Sequence, residues 1–303
     1  MTCAINGSTD VYLILGDPVE QVQAPALFNL IFSTLGINAV LVPVHLPEAA
    51  VQGFVRAAFS ARNIKGVLLT IPHKSLVMEM LDDCCELGRL AGAVNAVRCG
   101  ADGRLSGAMF DGEGLVDSLN GFNIAYTGQR VLMLGAGGSA AAIAASLASP
   151  ASRASKGPAA EVALYDPAPG KAQALAARLA SAQARVTVAG SPDPAGFDLV
   201  INASPLGLKP ADPLPCDVSR MAPQAALVDI LMKNQPTPLL RAARSQGRVA
   251  HPGFEMLIRQ VALYLDFFGL HDAALTVQQD PGFIRRQIYP AALHGEMPLF
   301  TAP

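Results

Sequence analysis

The sequence has no excess of charge of either sign and little charge in total. Lys and Arg number 22 against 24 Asp and Glu, which gives a formal net charge of -2 at pH 7. A protein that binds a phosphate backbone or an anionic membrane needs a basic surface, so nucleic acid and membranes are not expected partners. With 15% charged and 51% hydrophobic residues, the composition is typical of a globular enzyme or binding protein.

Long hydrophobic runs and metal-binding spacings are also missing. No apolar stretch reaches the roughly 18 residues of a membrane span, and the first residues lack the basic and apolar regions of a signal peptide. We therefore expect a cytoplasmic protein. The five cysteines form no C-x-x-C spacing and the five histidines no H-E-x-x-H pair, so we predict structural thiols and no metal site.

What the sequence does contain is an alternation of apolar, β-rich runs with helical patterns. This order predicts an α/β fold with parallel strands and crossover helices, and 303 residues correspond to about two domains. We predict a first α/β domain over residues 1–110, completed by residues 253–303, and a Rossmann-like, doubly wound domain over residues 111–252. The predicted strands span residues 11–15, 39–44, 66–71, 130–134, 161–165, 185–188, 197–201 and 226–230. A short hairpin-like turn is expected at Asp102-Gly103, after the segment 93–97.

A glycine-rich turn directly follows the predicted strand 130–134. The segment Gly135-Ala136-Gly137-Gly138-Ser139-Ala140 reads G-x-G-x-x-A and opens an alanine-rich helix, which is the context that a dinucleotide-binding turn requires. Gly135 permits the tight turn, Gly137 lets the backbone approach a pyrophosphate, and Ala140 permits close packing. A glycine turn that serves packing alone is the alternative.

The next predicted strand ends at Asp166, where an acidic side chain can accept hydrogen bonds from the adenosine ribose and repel a 2′-phosphate. Asp166 therefore favours NAD over NADP, although an ordinary surface aspartate is the alternative reading. Its distance from the glycines exceeds the usual ~20 residues because residues 149–158 form an inserted loop. Lys171 is the nearest following cation and would tolerate a phosphate, so NADP stays open.

Seven or more motifs in order resemble the shikimate dehydrogenase family over residues 11–285. The motifs are Gly16-Asp17-Pro18, Thr70-Ile71-Pro72-His73-Lys74, Ala91-Gly92-Ala93-Val94-Asn95, Asp111-Gly112, the glycine turn, Asn202-Ala203-Ser204-Pro205-Leu206-Gly207, Pro236-Thr237-Pro238, and Gly253-Phe254-Glu255-Met256-Leu257 through Gln260. The resemblance implies an N-terminal substrate-binding domain, a C-terminal nucleotide-binding domain and a dehydrogenase acting on shikimate, quinate or a related cyclic polyol.

The same resemblance implies that Lys74 and Asp111 are the catalytic pair. Oxidation of a secondary alcohol needs a base within hydrogen-bond reach of the hydroxyl while the hydride leaves for the nicotinamide. Lys74 suits that task, and Asp111 would orient its ammonium group and the hydroxyl. On residue types alone, a structural Lys–Asp ion pair is the alternative.

The family match also implies which residues bind substrate and cofactor. Thr70, Asn95 and Gln260 would hydrogen-bond the ring hydroxyls, because amides and hydroxyls both donate and accept. By residue type alone, Asn95 could instead cap a turn and Gln260 could be an exposed helix residue. The implied cofactor contacts are Gly135, Ala136, Gly137, Gly138, Ser139, Asp166, Asn202, Ser204, Pro205 and Gly253.

Four positions depart from the family pattern by being apolar. Val22 and Ala24 replace two serines that hold the substrate carboxylate, Met232 replaces a tyrosine at the same carboxylate, and Leu68 replaces an asparagine. An unpartnered buried carboxylate is costly, so we predict a related ring whose carboxylate is absent, altered or differently held.

Two alternatives stay open alongside this expectation. In one, Gln23 takes the serines' role and the enzyme remains a shikimate or quinate dehydrogenase. In the other, the chain is a catalytically poor paralogue that senses a nucleotide or metabolite. A monomer and a homodimer are both compatible with the sequence.

Overall fold

The computed structural model of the chain describes residues 5–209 and 211–296, except for the side chain of Glu296. Residues 297–303, which end the predicted carboxyl-terminal segment, lie outside the described residues. The chain forms two compact units. The first contains the described residues up to Phe110 together with Val261–Ile288, and the second contains Asp111–Gln260 and the described residues from Tyr289 onward.

Strands and helices alternate along most of the chain. Up to residue 110 they are β1 (Asp10–Gly16), α1 (Ala24–Thr34), β2 (Ala39–His45), α2 (Val51–Ala58), β3 (Ile64–Leu69), β4 (Asp83–Cys84), α3 (Glu86–Ala91), β5 (Ala96–Cys99) and β6 (Leu105–Ala108). From residue 111 they are α4 (Asp111–Gly121), β7 (Arg130–Leu134), α5 (Gly138–Ala148), β8 (Glu161–Tyr165), α6 (Pro169–Arg178), β9 (Arg185–Val188), β10 (Leu199–Asn202), β11 (Ala226–Asp229), α7 (Pro238–Ser245), β12 (Val249–Pro252), α8 (Phe254–Phe267), α9 (His271–Gln279) and α10 (Gly282–Ile288).

The first unit contains a mixed sheet of order β2-β1-β3-β5-β6-β4. Strands β1, β2 and β3 are parallel, whereas β5 runs antiparallel to both β3 and β6. The parallel strands with crossover helices that we expected therefore do not extend over the whole of this sheet. The expected turn at Asp102-Gly103 joins β5 to β6, which are antiparallel because only antiparallel strands can be joined by so few residues. Gly103 takes the positive φ of 79° that the turn needs.

The prediction for β3 was displaced by two residues toward the carboxyl end. The strand was expected over residues 66–71 but runs from Ile64 to Leu69, because the chain turns directly afterwards, where the amide of His73 donates to the carbonyl of Thr70 at 2.8 Å. The amide of Thr70 still donates to the carbonyl of Leu15 in the neighbouring strand, at 3.0 Å. Residues 70–75 thus begin at the carboxyl end of a central strand of this sheet.

The second unit contains a fully parallel sheet of order β12-β11-β10-β7-β8-β9. Strand order reverses between β7 and β10, and such a switch point is where open α/β sheets bind ligands. Strand β12 was not predicted from the sequence; it carries an exposed Val249 (51%) and a half-buried His251 at the sheet edge. An edge strand needs no continuous apolar run, so its pattern is weak.

The two units differ from the predicted domains at the carboxyl-terminal end. Residues 253–260, which we expected in the first domain, group with the second unit, as do the described residues from 289 onward. A physical reason is the close approach of α4 to α8, where a Cβ on Gly114 would lie 2.3 Å from the carbonyl oxygen of Met256.

Among the described residues, no helix combines the length and the apolarity that crossing a membrane requires.

Candidate active site

Three of the predicted site residues lie together in the first unit. The amide of Leu69, at the end of β3, donates to the carbonyl of Asn95, and the amide of Val94 donates to the carbonyl of Lys74. These bonds of 2.9 and 2.8 Å bring the turn after β3 beside the segment that enters β5. Thr70, Lys74 and Asn95 are thus positioned by backbone hydrogen bonds at one end of the sheet.

The polar side chains of this cluster are largely withdrawn from solvent. Lys74 is 8% exposed and Asn95 is fully buried, while Thr70 is half-buried. Lysine is seldom this buried in a protein unless it is partnered or functional. The Oδ1 atom of Asn95 accepts a 3.0 Å hydrogen bond from the amide of Phe110, so this side chain also fixes the end of the first unit.

In the second unit, the start of α4 is built for close helix packing. A Cβ on Gly112 would lie 2.1 Å from the carbonyl oxygen of Ala142 in α5, and one on Gly114 would lie 3.1 Å from the Cβ of Gln260 in α8. The two glycines therefore let α4 approach both neighbours. Asp111 and Gln260, at 4% and 3% exposure, are buried in this packing, so Gln260 is not the exposed helix residue of the alternative reading.

Asp111 is hydrogen-bonded to the glycine turn. The Ser139 hydroxyl donates to Asp111 Oδ2 at 3.0 Å. Ser139 is the second residue of α5 and Asp111 the first residue of α4. The proposed catalytic carboxylate and the predicted dinucleotide turn are therefore in direct contact, which the sequence analysis did not anticipate.

The glycine turn has the geometry expected of a dinucleotide-binding loop. Gly135 adopts a φ of +108°, and a Cβ there would lie 2.7 Å from the carbonyl oxygen of Ala203. Gly137 is the N-cap of α5, and no protein atom would lie within 4 Å of a Cβ at this position. The open approach to a helix N-terminus suits a pyrophosphate, so the residues present fit the cofactor.

Asp166, at the end of β8, holds the glycine turn as well as its own loop. Its Oδ2 accepts from the amide of Ala136 at 3.0 Å and its Oδ1 from the amide of Ala168 at 2.9 Å. The Ala136 amide is therefore engaged with protein. The half-buried carboxylate lies where an adenosine ribose would be recognised in this fold.

The loop that follows β10 is fixed by a buried network around Asp229. Asn202 donates to Asp229 at 3.0 Å, and its own Oδ1 accepts from the hydroxyl of Ser204 at 2.7 Å. Thr237 donates to Asp229 at 2.6 Å, and the amide of Leu231 donates to it at 3.2 Å. Asn202 thus organises the loop that carries Ser204 and the exposed Pro205.

Burial raises the pKa of Asp229 to about 6, although its hydrogen bonds with Thr237, Leu231 and Asn202 act in the opposite direction. The sequence analysis did not single out this residue. The signal that could have found it is an aspartate within the apolar run of a predicted interior strand, where a charged side chain needs partners.

Gly253 packs against the backbone of Ile230, directly after β11. A Cβ at this position would lie 2.5 Å from the Cα of Ile230, so only glycine permits the approach of the two segments. The residue is buried, at the start of α8. Its predicted cofactor contact stays a prediction.

The positions that depart from the family pattern are all at least half-buried. Leu68 is 2% exposed within β3 and Ala24 is 8% exposed at the start of α1, while Val22 and Met232 are half-buried. Gln23 is exposed and makes no side-chain capping bond at α1.

In the part of the chain that the structure describes, no group of three or more His, Cys, Asp or Glu side chains is arranged to hold a metal ion.

Comparison with known proteins identifies the family. Residues 14–97 match the shikimate dehydrogenase substrate binding domain. A shikimate dehydrogenase (NADP(+)) of Rubrobacter xylanophilus is 34% identical over 261 residues, which are 84% of this chain and 89% of that protein.

Two solved structures share the fold over nearly their whole length. The ligand-free 5-ketofructose reductase of Gluconobacter sp. strain CHM43 has a TM-score of 0.77 and 26% identity, covering 93% of this chain and 99% of that one. The quinate dehydrogenase of Corynebacterium glutamicum in complex with NAD has a TM-score of 0.75 and 25% identity, covering 89% and 98%. The predicted α/β fold is confirmed, and the chain belongs to the shikimate dehydrogenase family of NAD(P)-dependent oxidoreductases.

Proposed function

We propose that this enzyme transfers hydride between a nicotinamide dinucleotide and a secondary hydroxyl or ketone of a cyclic polyol that lacks the carboxylate of shikimate. The observation that carries the proposal is the apolar character of Val22, Ala24, Leu68 and Met232. A carboxylate held against any of these side chains would lose its solvation without gaining a donor from that side chain. A ring without a charged group has no charge solvation to lose at the same positions.

The structural neighbour from Gluconobacter supports a substrate without a carboxylate. That protein is named a reductase of 5-ketofructose, a keto sugar, and it shares the fold of this chain at a TM-score of 0.77. The fold is thus compatible with uncharged polyol substrates. Retention of Lys74 and Asp111 fits the same hydride chemistry, because a ketone and a secondary alcohol interconvert whether or not a carboxylate is attached.

The competing candidate is a shikimate or quinate dehydrogenase, as the names of the Rubrobacter and Corynebacterium proteins suggest. In this case Gln23, whose exposed side chain makes no capping bond, would supply the donors that the serines supply elsewhere in the family. Nothing in the comparisons favours a binding-only sensor, and a sensor would have no chemical need for Lys74 with Asp111.

Residues of the protein itself transfer the proton and orient the substrate. The bound nicotinamide supplies the hydride acceptor or donor. Lys74 takes the hydroxyl proton during oxidation and returns it during reduction, while Asp111 accepts hydrogen bonds that orient the reacting groups. Thr70, Asn95 and Gln260 bind the ring hydroxyls. Burial of Lys74, Asn95 and Gln260 keeps water from competing for these bonds.

We propose NAD as the preferred cofactor, held by the glycine turn and Asp166. The Asp166 carboxylate is fixed by the amides of Ala136 and Ala168, so a 2′-phosphate would meet a negative charge that cannot swing away freely. The Rubrobacter relative is named an NADP(+) enzyme and the Corynebacterium structure contains NAD. The ratio of kcat/KM with NAD to that with NADP measures this preference, and Asp166→Asn should shift it toward NADP.

The central experiment measures nicotinamide reduction with NAD and NADP against shikimate, quinate and cyclic polyols without a carboxylate. We expect turnover of the carboxylate-free group and its loss in Lys74→Ala, which should still bind NADH. Fast turnover of shikimate or quinate by the wild type would refute the proposed substrate class. If Lys74→Ala keeps both its activity and its binding of NADH, the mechanism is refuted.

A gain-of-function variant provides the matched control. Val22→Ser combined with Ala24→Ser restores the hydroxyl pattern of the family loop, and we expect it to raise kcat/KM for shikimate while leaving kcat/KM for the neutral polyol within a few-fold. An unchanged preference would mean that the loop does not decide the substrate. The cytoplasmic location expected from the sequence remains a proposal.

A further inference from the structure

We infer that Ser139 is a positioning residue for Asp111, a task separate from any contact of the glycine turn with dinucleotide. The inference rests on the proposed catalytic role of Asp111. Its basis is the 3.0 Å hydrogen bond from Ser139 Oγ to Asp111 Oδ2, which joins the second residue of α5 to the first residue of α4. The family resemblance implied a cofactor contact for this serine and gave no reason to pair it with the carboxylate.

The bond exists because the two helices begin side by side. Gly112 follows Asp111 directly, and a Cβ there would lie 2.1 Å from the carbonyl oxygen of Ala142 and 2.3 Å from the hydroxyl oxygen of Ser146. Because glycine leaves this room, the first turn of α4 packs against α5 at backbone distance. The carboxylate of Asp111 thereby comes within reach of a side chain as short as serine.

The bond restricts how the carboxylate can point. A hydrogen bond to an ionised group is among the stronger interactions of a side chain, and a carboxylate bonded through Oδ2 can no longer rotate freely about its side-chain torsions. Asp111 is 4% exposed, so water is a poor substitute for the lost donor when the serine is removed. The orientation of the proposed catalytic carboxylate is therefore set by the same turn that binds the cofactor.

Three variants separate this task from simple packing or cofactor binding. Ser139→Ala removes the donor, Ser139→Thr keeps it, and Ser146→Ala removes a buried hydroxyl from the same helix that makes no hydrogen bond within the described structure. Each variant is measured for NADH binding by fluorescence titration and for kcat with the substrate that the wild type turns over.

We expect Ser139→Ala to lower kcat about tenfold, the size expected for one hydrogen bond to a charged group, with the Kd for NADH changed less than twofold. Ser139→Thr should restore most of kcat, and Ser146→Ala should behave as wild type. A raised Kd for NADH with unchanged kcat in Ser139→Ala would overturn the inference and leave Ser139 as a cofactor ligand. Equal kcat in Ser139→Ala and wild type would overturn it too.

A structural measurement keeps this test independent of the proposed function. Crystal structures of the wild type and Ser139→Ala should show the Asp111 carboxylate rotated or spread over several conformers in the variant only. An Asp111 side chain in the same position in both structures would refute positioning by Ser139. Absence of turnover in the wild type would instead count against the proposed function, and the crystallographic comparison would still decide the role of Ser139.

Discussion

The carboxylate of Asp229 accepts a 2.6 Å hydrogen bond from the hydroxyl of Thr237, and neither side chain is exposed to solvent. Thr237 is also the N-cap of α7, where its hydroxyl accepts from the amide of Leu240 at 3.2 Å. One hydroxyl therefore joins the end of β11 to the start of the next helix. The segment between them carries Met232, one of the positions that we expect to decide the substrate.

The first prediction concerns this hydroxyl. Thr237→Val removes both the bond to Asp229 and the helix cap, so we expect the free energy of unfolding to fall by about 2 to 4 kcal/mol. Thr237→Ser keeps the hydroxyl and should lose less than about 1 kcal/mol. Chemical denaturation of the three proteins at pH 7 provides the comparison, and equal midpoints for Val and Ser would show that the network contributes nothing.

The second prediction is a pH dependence of stability that arises from Asp229. Burial raises its native pKa from 3.8 to about 6, so the native state holds this proton more tightly than the unfolded chain. The contribution is fully present below pH 3.8 and is lost as the pH rises through 6, by about 3 kcal/mol in total. Asp229→Asn cannot titrate there and lacks this contribution.

The free energy of unfolding of the wild type, measured relative to Asp229→Asn, should therefore decrease between pH 4 and pH 7. Subtracting the variant's curve cancels the titration of the other carboxyl groups, which both proteins share. A difference that stays constant over this range would mean that Asp229 titrates near its ordinary pKa in the folded protein.

Much of the fold could be read from the sequence where apolar runs are bounded by sharp turns. Strands β7, β8 and β9 were predicted with the bounds that the structure has, because each is a short run rich in valine or leucine and is closed by a polar or glycine-rich turn. The hairpin-like turn after residues 93–97 indicated the antiparallel pair of β5 and β6. The antiparallel placement of β5 against β3 was not predicted, since it depends on pairing between distant segments rather than on local pattern.

The site could be predicted in its residue types but not in its connections. Lys74, Asp111 and the glycine turn carry recognisable motifs, whereas the bond between Ser139 and Asp111 depends on how closely α4 and α5 pack. Packing distance is fixed by tertiary contacts, which a linear pattern does not encode. The partners of Asp229 escaped prediction for the same reason.

The third prediction tests the packing of α4 on α5. Gly112→Ala would place a methyl group 2.1 Å from a backbone oxygen that cannot move without shifting α5, so we expect a loss of several kcal/mol in the free energy of unfolding. Gly170→Ala is the matched control, because it lies in the first turn of α6 with no atom within 4 Å of the new Cβ.

Gly170→Ala should be neutral or slightly stabilising, since alanine favours helix over glycine by up to about 1 kcal/mol. A melting temperature for Gly112→Ala equal to that of Gly170→Ala would show that α4 can move away from α5 at no cost. In that case the hydrogen bond between Asp111 and Ser139 would owe nothing to Gly112.

The fourth prediction concerns the inserted loop 149–158, which Glu113 holds against α4. Its Oε1 accepts from the amide of Arg153 at 3.0 Å, and burial raises the pKa of this carboxyl while the hydrogen bond lowers it. Arg153 and Lys156 are exposed, so trypsin can cleave here once the backbone is released.

Glu113→Ala should speed cleavage after these two residues several-fold, because the loop loses an anchor. Glu113→Gln keeps the hydrogen-bond acceptor and should therefore be cleaved at close to the wild-type rate. Glu48→Ala, at an exposed glutamate of the first unit, controls for the lost charge, and equal cleavage rates in all four proteins would mean that the loop is held by its other contacts.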